Sequence, residues 1–407
     1  MSDSPSSLPP GWRRKPFTSL ADVSFSGVDK KSTPGEIPVR LCNYVDVFHN
    51  HRIHRGIDFI EATASEREVA KFKLLRGDVV FTKDSETPEK IAEPAYVAED
   101  LNGVICGYHL AIVRPRKDVA GLFLYYAMKE TSIRRQFARS ANGVTRFGLT
   151  LDAFDKIFIP TPLLEEQTRI AEVLSTWDET LARLERQIAQ KEQLVSSIRE
   201  RLIHGSHRLG GRDVSWPMVA LSEVTKQLTE RNGDRYGRDL VMGVTKLEGV
   251  VPMREHVVAE DISRYLVLPP NGFAYNPMRI NIGSIAMSEH EDDVIVSPDY
   301  VIFSCKEDQL HPRFLNHLRR TKAWADFMTI AGNGSVRVRI YYASLAEFEF
   351  HLPPLEEQRA IVEVLHDAER EIAALEAEQV VLAKQRDALT TELLTGRLRV
   401  PLAEAAS

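Results

Sequence analysis

Leu164-Glu165-Glu166-Gln167 and Leu355-Glu356-Glu357-Gln358 are the same four residues, and each opens a long charged stretch. The copies lie 191 residues apart. That offset also carries Ile170 onto Ile361, Glu172-Val173-Leu174 onto Glu363-Val364-Leu365, Leu184-Glu185 onto Leu375-Glu376, and Leu202 and Gly205 onto Leu393 and Gly396. A repeat of half the chain predicts two copies of one unit about a pseudo-two-fold axis, and a binding target with two halves.

Both stretches read as helices. In the first, Leu174, Trp177, Leu181, Leu184, Ile188, Val195, Ile198 and Leu202 advance in alternating steps of three and four, with Lys191 filling the slot between Ile188 and Val195. This is a heptad seam. Residues 165–204 at ~1.5 Å per residue span ~60 Å, and Gly205, Gly210 and Gly211 stop the helix. The second seam is Leu365, Ala368, Ile372, Leu375, Leu382, Leu389 and Leu393, with Gln379 and Arg386 at core positions. Polar residues there fix register and orientation.

Between the helices lie mixed, strand-rich segments. Val79-Val80-Phe81 and His109 to Val113 read as strands broken by Gly, Pro and Asn. An apolar-periodic helix runs from Gly121 to about Ala138, followed by an Asn142-Gly143 turn and a last strand, Lys156 to Ile159. The repeat extends into these segments, placing Phe123-Leu124 on Phe314-Leu315, and Asn142, Gly143 and Arg146 on Asn333, Gly334 and Arg337. Residues before about 105 match poorly. The expected order is a disordered tail (1–10), a first globular domain (11–163), a first long helix with linker (164–211), a second globular domain (212–354), a second long helix with tail (355–400) and a disordered tail (401–407). The predicted class is α+β: two mixed α/β domains separated by two long helices forming an antiparallel coiled coil. Connectivity sets the direction, because the first helix ends where the second domain begins and the second helix must run back.

Composition bounds the function. The hydrophobic share of 43% and the length of 407 residues fit a soluble protein with more than one core. No apolar run reaches the ~18–20 residues of a membrane helix. Cys42, Cys106 and Cys305 are scattered, which predicts a reduced, cytoplasmic protein without structural zinc or disulfides. The net charge is −6, yet residues 1–150 carry 22 Lys and Arg against 18 Asp and Glu, while 351–407 carry 6 against 11. DNA attraction needs a local basic face and not a basic whole.

Catalytic signatures do not emerge. There is no GxxxxGK[ST] loop and no HExxH. His49, His51 and His54 read as a polar loop. Pro298-Asp299 before Ser304-Cys305-Lys306 lacks the second carboxylate a metal cage needs. Asn276-Pro277-Met278-Arg279 lacks the aromatic that stacks on a flipped base. Candidate DNA contacts fall in paired clusters: Arg134, Arg135, Arg139, Asn142 and Arg146 in the first domain, and Arg319, Arg320, Lys322, Asn333, Arg337 and Arg339 in the second. Arg reads guanine bidentately, Asn reads adenine and Lys mostly meets phosphate. The competing reading of any one of these is a solvated surface charge. Lys83 and Arg279 are secondary candidates.

With a tryptophan introducing each domain (Pro10-Gly11-Trp12 and Trp216-Pro217), the two Leu-Glu-Glu-Gln helix starts and the Gly396-Arg397-Leu398-Arg399-Val400 tail, the chain resembles the specificity subunit of a type I restriction-modification enzyme over nearly its whole length. The resemblance implies that each domain binds one half of a split, double-stranded DNA target and that the helical rod sets the gap. It implies two methyltransferase subunits, which bring S-adenosylmethionine, and motor-endonuclease subunits, which bring ATP and Mg. The chain itself would hold no cofactor and carry out no catalysis. Two other classes stay open at this point: a structural adaptor whose domains bind proteins, and a self-sufficient methyltransferase or nuclease with an unrecognised site. The poor match before residue 105 predicts an asymmetric target.

Overall fold

Two long helices, Leu164–Ile203 and Leu355–Thr395, are the longest elements of the computed structural model, which describes residues 8–209, 215–331 and 339–401. Packing divides the chain into two units: residues 1–185 with 378–407, and residues 186–377. The division falls inside both long helices, whereas the sequence pattern sets them apart as segments of their own. In the first unit, Glu166 faces Arg399 and Asp178 faces Arg386. In the second, Lys191 faces Glu371, Arg199 faces Glu369 and Arg208 faces Glu357. As one number rises the other falls, so within each unit the two helical segments run antiparallel.

The seam is unevenly buried. Leu174, Leu184, Ile188, Leu365 and Leu393 are buried, while Trp177, Leu181, Ile372, Leu375, Leu382 and Leu389 are half-buried. Two polar seam residues are paired across it: Lys191 Nζ meets Glu371 at 2.7 Å, and Arg386 donates to Asp178 at 2.6 and 2.8 Å. Both helices end on a left-handed glycine, Gly205 (φ +70°) and Gly396 (φ +76°). The chain then closes back, with His207 N–H on the Arg201 carbonyl and Leu398 N–H on that of Glu392.

The first unit carries a five-stranded sheet in the order Ala21–Phe25, Leu110–Pro115, Val79–Thr82, Pro94–Val97, Arg52–Ile53, antiparallel except at its last pair. A three-stranded sheet, Ile60–Ala64, Ile37–Cys42 and Val104–Cys106, packs beside it. The strand Arg13–Pro16 pairs with Phe158–Thr161 just before the first long helix. The second unit repeats that closing pair with Met218–Ala220 and Glu349–His351. Its four-stranded sheet, Thr225–Leu228, Val301–Cys305, Phe273–Tyr275 and Ile285–Met287, repeats the first three strands of the first unit's sheet order. A further sheet (Gly249–Pro252, Val241–Thr245, Val294–Val296, Leu266–Leu268) belongs to the second unit.

Two local elements differ from the sequence pattern. The helix read as continuous from Gly121 is two, Gly121–Lys129 and Thr131–Ser140. Buried Glu130 between them is extended (ψ 139°), and its carboxylate accepts the Ser132 and Ile133 N–H groups, so it caps the second helix. The last strand begins at Phe158, because residues Leu151–Lys156 form a 3-10 turn.

Candidate nucleic-acid interface

The repeated Leu-Glu-Glu-Gln residues build the mount on which each globular part sits. Gln167 accepts the Ala120 N–H at 2.9 Å and donates to the Asp118 and Pro162 carbonyls. Gln358 accepts the His311 N–H at 2.7 Å and donates to the Gln309 and Pro353 carbonyls. Each partner is the other's counterpart at the 191 offset. Both glutamines are buried, and their bonds to the Pro162 and Pro353 carbonyls are buried with them, so each satisfies an interior backbone group.

The second glutamate of each motif clamps a tryptophan and an arginine. Trp12 Nε1 donates to Glu166 at 3.2 Å, and Arg399 donates to the same carboxylate at 2.5 and 2.9 Å. Trp216 Nε1 donates to Glu357 at 3.1 Å, and Arg208 makes two bonds of 2.7 Å to it. The introducing tryptophan, the helix start and an arginine, Arg399 of the basic tail in the first unit and Arg208 in the second, therefore converge on one lock per unit. A third repeated acid joins the globular part to the long helices. Asp178 accepts Tyr126 Oη at 2.7 Å and Arg386; at the same repeat position Glu369 accepts Arg199 and Arg320 at 2.9 Å, with His317 Nδ1 at 3.7 Å.

Several candidate contacts are engaged within the fold. Lys83 donates to the Ser26 carbonyl at 2.8 Å and lies 4.6 Å over the Tyr108 ring. Arg134 donates to the Ala92 and Glu89 carbonyls and pairs with Glu93. Arg320 belongs to the Glu369 cluster. Arg319 is half-buried and donates to Asn316 at 2.8 Å; desolvation pulls its guanidinium down to about 10. It lines, with Arg320, Lys246, Glu289 and Glu376, a mixed-charge cleft of about 790 Å³. Lys322 pairs with Asp326, and its backbone N–H is accepted by Glu200.

Others face solvent. Arg135 and Arg139, on one exposed side of the helix Thr131–Ser140, have no side-chain partner among the described residues. The same holds for Arg279 and Arg339 in the second unit. Asn142 and Arg146 bracket the loop after that first-unit helix, and Arg146 reaches Asp84 at 3.2 Å while staying 65% exposed. Asn333 and Arg337 lie outside the described residues. The structure adds residues that composition did not flag: Asp84, held by His109 Nδ1 at 2.7 Å, and the stacked Tyr44–Phe48 pair, all lining one cleft with Arg146. His109 is left-handed at φ +69°, a conformation no residue count reveals.

Two globular parts, each mounted on long helices by the same set of contacts and each with its own exposed polar residues, define a protein with a duplicated architecture. The family model for the type I restriction modification DNA specificity domain matches residues 48–192 and 267–382, and the chain belongs to that family. The type I restriction enzyme MjaVIII specificity subunit of Methanocaldococcus jannaschii is 25% identical over 73% of this chain and 75% of its own length. A second protein of that organism, bearing the specificity-subunit name MjaX, is 22% identical over 97% of this chain and 95% of itself. The HsdS subunit from Thermoanaerobacter tengcongensis shares the fold at a TM-score of 0.51 and 21% identity, covering 98% of this chain and 100% of that one. The S subunit from M. genitalium does so at a TM-score of 0.56 and 14% identity, covering 97% and 98%. No helix among the described residues is long and apolar enough to cross a membrane.

Proposed function

We propose that this chain is the DNA-reading and assembly subunit of a type I restriction-modification complex and carries out no catalysis itself. The observation that carries this is the duplicated mount: one set of locks holds two parts whose exposed polar residues differ. Each part reads one half of a bipartite, asymmetric double-stranded target. In the first, Arg135, Arg139, Asn142 and Arg146 face the DNA; in the second, Arg279 and Arg339 do, together with Asn333 and Arg337 by sequence. The length of the paired helices sets the spacing of the halves, as a rigid spacer fixes half-site separation.

Two methyltransferase subunits dock on the outer faces of the long helices, where Leu194, Val380 and Val381 stand exposed among charged residues. They bring S-adenosylmethionine and methylate an adenine in each half, and motor-endonuclease subunits bring ATP and Mg. The complex acts in the cytoplasm. The test is DNA binding by the chain assembled with its methyltransferase partner, measured across salt concentrations. Affinity that falls with log[salt] at roughly −0.9 per phosphate contact, and that one sequence competes for best, supports the reading. Protein partners bound without any salt-sensitive DNA affinity point to an adaptor.

A further inference from the structure

Residues 142–148 of the first unit form a hairpin-like finger whose backbone is fixed at both ends. Asn142 N–H donates to the Gly148 carbonyl and Gly148 N–H to that of Asn142, both at 2.9 Å. Phe147–Gly148 pairs with Asp84–Ser85, which anchors the returning limb to the body of the unit. Gly143 sits at φ +144°, and a Cβ there would overlap the Arg146 carbonyl oxygen, so the turn admits glycine alone. Arg146 reaches one oxygen of Asp84 and His109 holds the other, with His109 in the left-handed region. Strain of that kind persists where the surroundings over-determine a geometry, and it clusters at binding sites. At the tip stands Val144, 94% exposed.

A single exposed apolar side chain is ordinary on a protein surface. This one is held at the tip of a braced finger that follows the helix Thr131–Ser140. On that helix Arg135 and Arg139 are exposed and have no side-chain partner among the described residues, so they supply the positive charge that DNA attracts. An isopropyl group neither donates nor accepts a hydrogen bond, so it gains only against an apolar partner. In the major groove the apolar group on a base edge is the C5-methyl of thymine. We propose that Val144 packs on a thymine methyl in the half-site read by the first unit, with the braced Arg146 holding the finger in register. The proposal rests on the DNA-reading function above. The second copy keeps Asn333, Gly334 and Arg337 in sequence but has Ser335 for Val144 and Tyr300 for His109, so the proposal is made for the first unit alone.

The test uses the full chain with its methyltransferase partner and a duplex carrying the motif that the complex methylates, with each thymine replaced in turn by deoxyuracil. One replacement, in one half-site, weakens wild-type binding about fourfold, the value of one buried methyl. Val144→Ala weakens binding to the thymine duplex and ignores that replacement. The proposal is overturned if no thymine is sensitive, or if Val144→Ala keeps the wild-type sensitivity. Intact bipartite binding that ignores Val144 sinks this inference alone; absence of any specific DNA binding sinks the function on which it rests.

Discussion

Gln358 shows what a single side chain does in this fold. It is fully buried and satisfies one N–H and two carbonyls around the start of the second long helix. Gln358→Leu fills the same space and leaves the buried Pro353 carbonyl unpaired, which costs about 2 kcal/mol. A lower urea midpoint, followed by tryptophan fluorescence, is the expected result; an unchanged midpoint would contradict that role. His317 supplies a pH dependence. Burial pulls its imidazole down to about 4, against the pull of Glu369 and with the help of Arg320 and Arg199. The unfolded chain titrates near ~6.5, so between these values it binds a proton that the folded chain does not. Stability contributed by neutral His317 is complete above pH ~6.5 and is lost as pH falls toward 4, about 2 kcal/mol by pH 5. His51 and His311 are shifted in the same sense by burial, so the slope specific to His317 is the part that His317→Gln removes. A stability–pH curve unchanged by that substitution would contradict the assignment. The Glu-Gln pair is legible as a repeat, but its task is not: the partners of the glutamines are backbone groups, which no residue type announces.

At the scale of elements, one device ends both long helices. Gly205 is left-handed, and a Cβ there would meet the Trp216 ring at 2.9 Å. Gly205→Ala is expected to cost about 2 kcal/mol, from the backbone conformation together with the displaced ring. Hydrogen exchange around residues 198–203 measures it, and unchanged protection there would show that the ring moves freely. The long helices are readable from period and caps because both signals are local. The break at Glu130 is not, since an apolar period runs across it and only the buried carboxylate reveals the cap. The sheets are legible as strands but not as an order, because strands such as Ala21–Phe25 and Leu110–Pro115 pair across most of a unit. Lys83 and Arg134 show the same limit for the site: their charge is visible in sequence, and the carbonyls that occupy it are not.

At the scale of the whole molecule, the repeat leads from sequence to function most directly. One offset relates the glutamines, the clamping glutamates, the arginines that meet them and the acids at Asp178 and Glu369. On the proposed function, what differs between the units is what reading two unlike half-sites needs to vary. The most direct measurement is genome-wide mapping of methylated adenine in a methylation-free host carrying the methyltransferase partner, with and without this chain. A bipartite, asymmetric motif of fixed gap that appears only with the chain is the predicted result. No new methylation beside a folded, active partner, or a motif that appears without this chain, would contradict it.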